Sequence, residues 1–348
     1  MNLHSKHIAG RVGAAGFFLA LAAAAHAQDA APQPGQPSTE AAREALSKKE
    51  GDVDQAKLLK ETLTAADKQY SLIKRGKVAL TYDLNYSYIG QQTIEANFTD
   101  DKLTLFDIQN TRSHTITNTV SADYGVLDNL TGNVTLPLVS KYSQSEKFSG
   151  LSNAIGDVSL GARYQPFALS REWPSLTVTG NVRLPTGRSP FKTIDGQGLA
   201  TGAGYTSFTA GVNTSKVVDP VALFGSLNFT LALPAKHLSQ QRSGLTLIEV
   251  KPGPSIGFGI GFAYALSYNI STTLSFQEAV SARSKLLLRD ESTGIVSTRK
   301  TSMQTSGALN VGLGVRVSPQ TTLNFTVGVG MTSDTPDFTL GMNLPLHF

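Results

Sequence analysis

Six charged side chains fall on the polar side of otherwise alternating segments: Asp83, Asp123, Asp157, Arg163, Arg183 and Arg316. Charges of both signs on one polar face can gate a passage or attract ions. They can equally neutralise one another in a salt-bridge network that only stiffens a wall. Acid–base or metal chemistry has far less to work with. Beyond the first thirty residues the histidines are His114, His237 and His347, far apart in the chain, and there is no cysteine. Thiolate catalysis, zinc thiolate sites and Fe–S clusters are therefore excluded. No HExxH, GxSxG, Walker A or EF-hand pattern occurs. A serine hydrolase would need a Ser and a His brought together in space, which the sequence alone leaves open. The expectation is a non-enzyme with no catalytic residues, no cofactor and no metal.

The elements that must position these charges are strands. From Lys77 onward apolar residues recur at every second position, the signature of strands with two unlike faces. Val78, Leu80, Tyr82, Leu84, Tyr86 and Tyr88 lie opposite Ala79, Thr81, Asp83, Asn85 and Ser87. Leu223, Leu227, Phe229, Leu231 and Leu233 lie opposite Ser226, Asn228 and Thr230. About twelve such runs are predicted, near 77–90, 112–126, 130–142, 156–168, 175–187, 204–218, 221–234, 253–268, 271–285, 299–317, 321–332 and 336–348, with bounds good to roughly 2–4 residues.

Connections between the runs alternate in length. Asp128-Asn129, Arg171 to Pro174, Asp219-Pro220, Asn269 and Pro319-Gln320 are tight, whereas 91–111, 143–155, 188–203, 235–252 and 286–298 are long. Short turns on one side and long loops on the other, with strands of roughly 10 residues, fit an all-β membrane barrel of antiparallel transmembrane strands. A soluble sandwich would have shorter strands and a polar outer face. Charge content of 16%, against about 25% in soluble domains, agrees. The +4 net charge gives no nucleic-acid footprint. Charges on the lipid side would cost about 2–4 kcal/mol at mid-bilayer, so the six charges are expected to line the lumen. Gly257, Gly259, Gly261, Ala263 and Ala265 on that side are expected to leave it roomy.

Before the strands come three zones. Residues 1–27 read as a signal peptide: Lys6 and Arg11 precede an apolar run, and Ala25-His26-Ala27 is a small-x-small cleavage site. The apolar run is shorter than the roughly 20 residues of a spanning helix. Residues 28–37 read as a disordered Pro/Gln/Ala leader. Residues 38–76 read as helical and periplasmic, with Leu59, Leu63, Ala66, Tyr70 and Ile73 forming a coiled-coil-like seam. This helix either plugs the pore, self-associates as a stalk or packs at the barrel mouth. At the other end Phe338, Leu340, Met342, Leu344, Leu346 and Phe348 alternate to the carboxyl terminus. Leu344, Leu346 and Phe348 resemble the insertion signal read by the barrel-assembly machinery. The outer membrane of a Gram-negative bacterium is the expected location, and its lipid the expected surroundings.

Several longer segments carry a family resemblance. IGDVSLGARYQ (155–165), VRLPTGRSPF (182–191), DPVALFGSLNFT (219–230), SARSKLLL (281–288) and MTSDTPDFTLGMNLPLHF (331–348) resemble the outer-membrane secretion pore of the functional-amyloid (Fap) system. The resemblance implies a twelve-stranded barrel, a helix plugging it from the periplasm, a coiled coil that trimerises, and export of secreted amyloid-type polypeptide through a gated pore. Broader relatives are the phenol meta-pathway channels, which imply the alternative of uptake of small hydrophobic or aromatic compounds. A surface barrel with a structural or adhesive role is a third expectation, of another class.

Overall fold

The computed structural model describes residues 72–99, 102–144, 149–167, 173–192, 199–218, 221–242, 245–267, 269–318 and 321–346. The signal peptide, the leader, Leu59, Leu63, Ala66 and Tyr70 of the predicted helix, His347 and Phe348 lie outside the described residues.

The first half of the wall is β1 (Val78–Thr99), β2 (Lys102–Leu127), β3 (Leu130–Gln144), β4 (Ser149–Ile155), β5 (Ser159–Tyr164), β6 (Ser175–Arg183), β7 (Ser207–Val218) and β8 (Val221–Ala232). Two short strands follow, β9 (Gln240–Arg242) and β10 (Leu245–Lys251), then β11 (Ser255–Ala265) and β12 (Ile270–Ser281). β13 (Lys285–Asp290) and β14 (Val296–Lys300) precede β15 (Gln304–Arg316), β16 (Thr322–Gly330) and β17 (Phe338–Leu346). Thirteen of these make one antiparallel sheet, closed because β1 pairs with β17 and β2 with β3. β4 and β5 both pair with β3, end to end, and so form one interrupted wall strand. The result is a closed barrel of twelve wall strands, in which β4 pairs with β3 on one side only.

Burial is inverted relative to a soluble protein. The apolar residues predicted to share a face are exposed: Leu227 at 52%, Phe229 at 48% and Leu231 at 51%. They form the outer belt that meets lipid. Two polar side chains on the same outer face, Asn118 and His114, are met by tyrosines. Tyr82 Oη donates to Asn118 Oδ1 at 2.6 Å, and Tyr86 Oη lies 2.8 Å from His114 Nδ1. The rings of Tyr88 and Tyr142 sit 5.0 and 6.2 Å from that of His114. Such a ring cluster is what the interfacial girdle of a membrane barrel requires.

Three stretches depart from the sequence reading. The long connection 91–111 is mostly strand, because β1 and β2 pair from Val78↔Tyr124 to Thr99↔Lys102, with one register shift between Asn97 and Phe98. The predicted loop 143–155 contains β4, and the predicted strand 156–168 is only β5. Leu151 and Ile155 face out at odd positions while Leu160 and Tyr164 face out at even ones, so the alternation changes phase at Gly156–Val158. Loops 235–252 and 286–298 contain β9, β10, β13 and β14, a second four-stranded sheet. That sheet continues the wall in register: Ser255 faces Ser281 and, four residues on, Lys251 faces Lys285. Ala235, Leu238 and Val250 are buried there beneath Phe191, Tyr205 and Leu286.

The β13–β14 turn is held by its first residue. Asp290 Oδ1 accepts from Ser292 Oγ at 2.6 Å, Ser292 N at 2.8 Å and Thr293 N at 3.1 Å, and Gly294 supplies the left-handed φ of 70°. The Ser292 hydroxyl, then the backbone amides of Thr293 and Ser292, hold the Asp290 carboxyl below the ordinary carboxylate range. A depressed folded-state pKa stabilises above the unfolded value and is lost as pH falls through the folded one. Protection of the Ser292 and Thr293 amides, taken relative to their intrinsic exchange rates, should therefore persist from neutral pH downward and be lost only below the usual Asp range. Loss of protection already at pH 6 would contradict the turn's chemistry.

The lumen as candidate functional site

On the inner face polar side chains lie flat against glycines of the next strand. Asn133 lies over Gly161, Asn228 over Gly211, and Thr273 over Gly312, each pair directly opposite in register. Asn310 and Thr339 both cover Gly328. A hydroxyl or amide that would stand into the lumen is thereby folded onto the wall. Gly261, expected to be open space, is covered by the Phe224 ring, which packs on Ala222 and Ala263. The room predicted along β11 is thus partly taken up by Phe224.

The six predicted charges do not converge. Asp123 and Arg163 form a pair across β3, with Arg163 Nη2 donating to Asp123 Oδ1 at 2.5 Å and side-chain exposures of 13% and 10%. Asp83, on β1, accepts from Asn343 Nδ2, and Asn324 Nδ2 donates to Asn343 Oδ1 at 3.4 Å. Asp157 sits in the β4–β5 interruption and accepts from Gly187 N at 3.1 Å and Ala203 N at 2.7 Å, tying two loop segments to the wall. Arg188 Nη1 donates to Ser152 Oγ at 3.1 Å beside it. Arg183 is exposed between Ser159 and Ser207. Arg316, at the short-turn end, donates through Nε to Ser318 O at 3.3 Å. Asp83, Asp123, Asp157 and Arg163 therefore have wall partners, and Arg183 points to solvent.

Thr131, an inner-face residue of β3, has 0% exposure, and its Oγ1 accepts from Ile73 N at 2.9 Å. Gly125, on the inner face of β2, has no space for a Cβ because the carbonyls of Ile73 and Lys74 lie against it. Gly76, at φ 75°, turns the chain, and its N donates to Gly125 O at 2.8 Å. Arg75 N donates to Asp128 Oδ1 at 3.3 Å. The chain before β1 thus runs along the inside of the wall at the short-turn end. Of the predicted seam residues, Ile73 is the one placed here. Nothing in the sequence marks Thr131, since a threonine after a tight turn is ordinary strand composition.

Leu344 and Leu346 occupy the last wall strand, opposite Tyr82 and Leu80. His237 lies outside the wall, in the loop before β9, with a positive φ of 57°. Among the described residues no group of three or more His, Cys, Asp or Glu could hold a metal.

No protein-family model matches the chain. The structure is similar to an outer-membrane channel from Pseudomonas putida F1, with TM-score 0.57 and 14% identity over 80% of this chain and 98% of that one. It also aligns with the translocator domain of the autotransporter NalP from Neisseria meningitidis, at TM-score 0.47, 10% identity, 85% of this chain and 97% of that one. A deltaS2 mutant of the TodX monoaromatic hydrocarbon channel aligns at TM-score 0.42 and 10% identity, over 78% of this chain and 89% of that one. The first likeness is one of fold: the wall built above is a barrel of the kind found in an outer-membrane channel.

Proposed function

We propose that the protein is an outer-membrane conduit that exports an unfolded, amyloid-type polypeptide and is closed at rest by the helix preceding β1. The observation carrying this reading is the path of residues 73–76 along the inner face, against Thr131 and Gly125. A segment that reaches β1 from inside the lumen is placed to occlude it. Side chains folded flat onto glycines line the lumen with short polar groups, which offer an extended chain little to stick to. No energy source is required, since the cargo passes unfolded and the pore is passive. Assembly as a trimer through the helical segment belongs to the same proposal.

The test exploits the cysteine-free sequence. I73C/T131C should crosslink, because the Ile73 amide lies 2.9 Å from the Thr131 side-chain oxygen, which brings the two residues within reach of a disulfide. Cells carrying it should retain an unfolded Asn/Gln-rich reporter in the periplasm under oxidising conditions and display it at the surface after reduction. Equal display in both states would contradict a plugging role.

A second reading, uptake of small hydrophobic compounds, is favoured by one feature. On the lipid face a groove of about 470 Å³ lies among Leu160, Val182, Phe208, Phe229 and Leu231, floored by Ala162, Gly180 and Ala210. It lies beside the wall interruption at Gly156–Val158, where Thr186 and Thr201 fill the gap. This reading predicts saturable binding of toluene to the purified barrel, weakened by A210F. Unsaturable partitioning that A210F leaves unchanged would sink it.

A further inference from the structure

The second sheet places three lysines side by side. Lys251 on β10 faces Lys285 on β13, and Lys285 faces Lys300 on β14. All three are exposed. Directly opposite like charges destabilise a strand pair, and strands are separated by only about 4.8 Å. One carboxylate is nearby: Glu249 Oε2 lies 3.6 Å from Lys251 Nζ. Arg289, four residues from Lys285 along β13 and exposed like it, adds a further cation. The row is therefore a local excess of positive charge held in fixed geometry, with its repulsion largely uncompensated.

Its position follows from register. Ser255, Ser281 and Gln304 face one another at the long-loop end of the wall, and the lysines stand four residues beyond each. Residues 252–254, 282–284 and 301–303 separate the two sheets, so the row stands just beyond the long-loop end of the wall. Across the break the strands stay tied, with Ala282 N donating to Pro254 O at 2.9 Å and Thr301 N to Ser284 O at 2.9 Å. From this we infer that Lys251, Lys285 and Lys300 form an oxyanion-binding site at the outer mouth of the barrel. Its ligand is a phosphate or carboxylate group on a soluble solute. Three ammonium groups with nine donors between them match such an oxyanion. A bound anion converts the mutual repulsion into attraction toward a shared centre. The inference takes from the proposed function only what the site serves, namely drawing anionic groups to the mouth of the conduit.

The experiment uses the refolded full chain in detergent micelles, with pyrophosphate as the probe and sodium chloride at equal ionic strength as the control. The readout is the urea midpoint of the heat-modifiable folded band. Pyrophosphate should raise the midpoint of the wild type, since a ligand of the folded state stabilises it. K251Q/K285Q/K300Q should abolish that rise while starting from a midpoint at least as high, because the repulsion is gone. Should the triple variant fail to refold, K285Q alone should reduce the rise by more than half. No rise in the wild type, or an equal rise in the variants, overturns the site. A larger rise with lipopolysaccharide than with pyrophosphate would set the row against lipid headgroups and overturn its placement at the mouth. Because no current is measured, a protein that binds pyrophosphate but never conducts would sink the conduit and leave the site standing.

Discussion

Leu227→Arg should prevent or severely weaken folding into bilayers, while Ser226→Arg, its immediate neighbour, should fold nearly as well as the wild type. Leu227 sits at the centre of β8, 52% exposed on the lipid side, opposite Val212 and Phe258. An arginine there costs about 2–4 kcal/mol near the bilayer midplane. Ser226 points the other way, opposite Gly259, so an arginine finds room and water. Folding yield into phosphatidylcholine vesicles across a urea series measures both. Comparable losses for the two variants would mean that the faces have been assigned wrongly, and the argument about the lumen would fall with them.

The Asp123–Arg163 pair is the second large effect. Arg163 is nearly buried, and removing it strands a carboxylate that is itself mostly covered. Breaking such a pair from one side costs about 3–5 kcal/mol in a dry interior. The lumen is not fully dry, so the low end of that range is expected for Arg163→Met. D123N/R163M, which leaves no charge unpaired, should recover most of the loss. If both variants lose equally, the pair contributes through packing alone and not through charge. The three strands β2, β3 and β5 that the pair spans also carry Thr131, so loosening them should disturb the contact with Ile73 as well.

How much of this was visible in the sequence depended on whether a residue faced lipid. Runs such as Leu223 to Leu233 declare their face because bilayer and lumen make opposite demands on alternate residues. The strands of the second sheet lie beyond that constraint. Leu286, Leu287 and Leu288 are consecutive, with no alternation to expose β13, and its partner β10 is recognisable only by register. The change of phase between Ile155 and Leu160 was present in the sequence but reads as a loop, since an interrupted strand and a connection look alike without the pairing to β3. The lumen was legible in composition and not in shape. That Asn228 would cover Gly211, or that Phe224 would take the space left by Gly261, follows from cross-strand register, which one sequence does not disclose. The charged residues were found, yet their partners were not. Asp157 binds the amides of Gly187 and Ala203, and no spacing rule anticipates that.

A polar lumen that crosses the membrane and is closed by the chain before β1 should conduct poorly until that chain is removed. In planar bilayers the mature chain should show small or rare openings, and the same chain lacking residues 38–71, whose barrel strands from Val78 onward are all retained, a stable and severalfold larger conductance. Equal conductance in the two would contradict that closure.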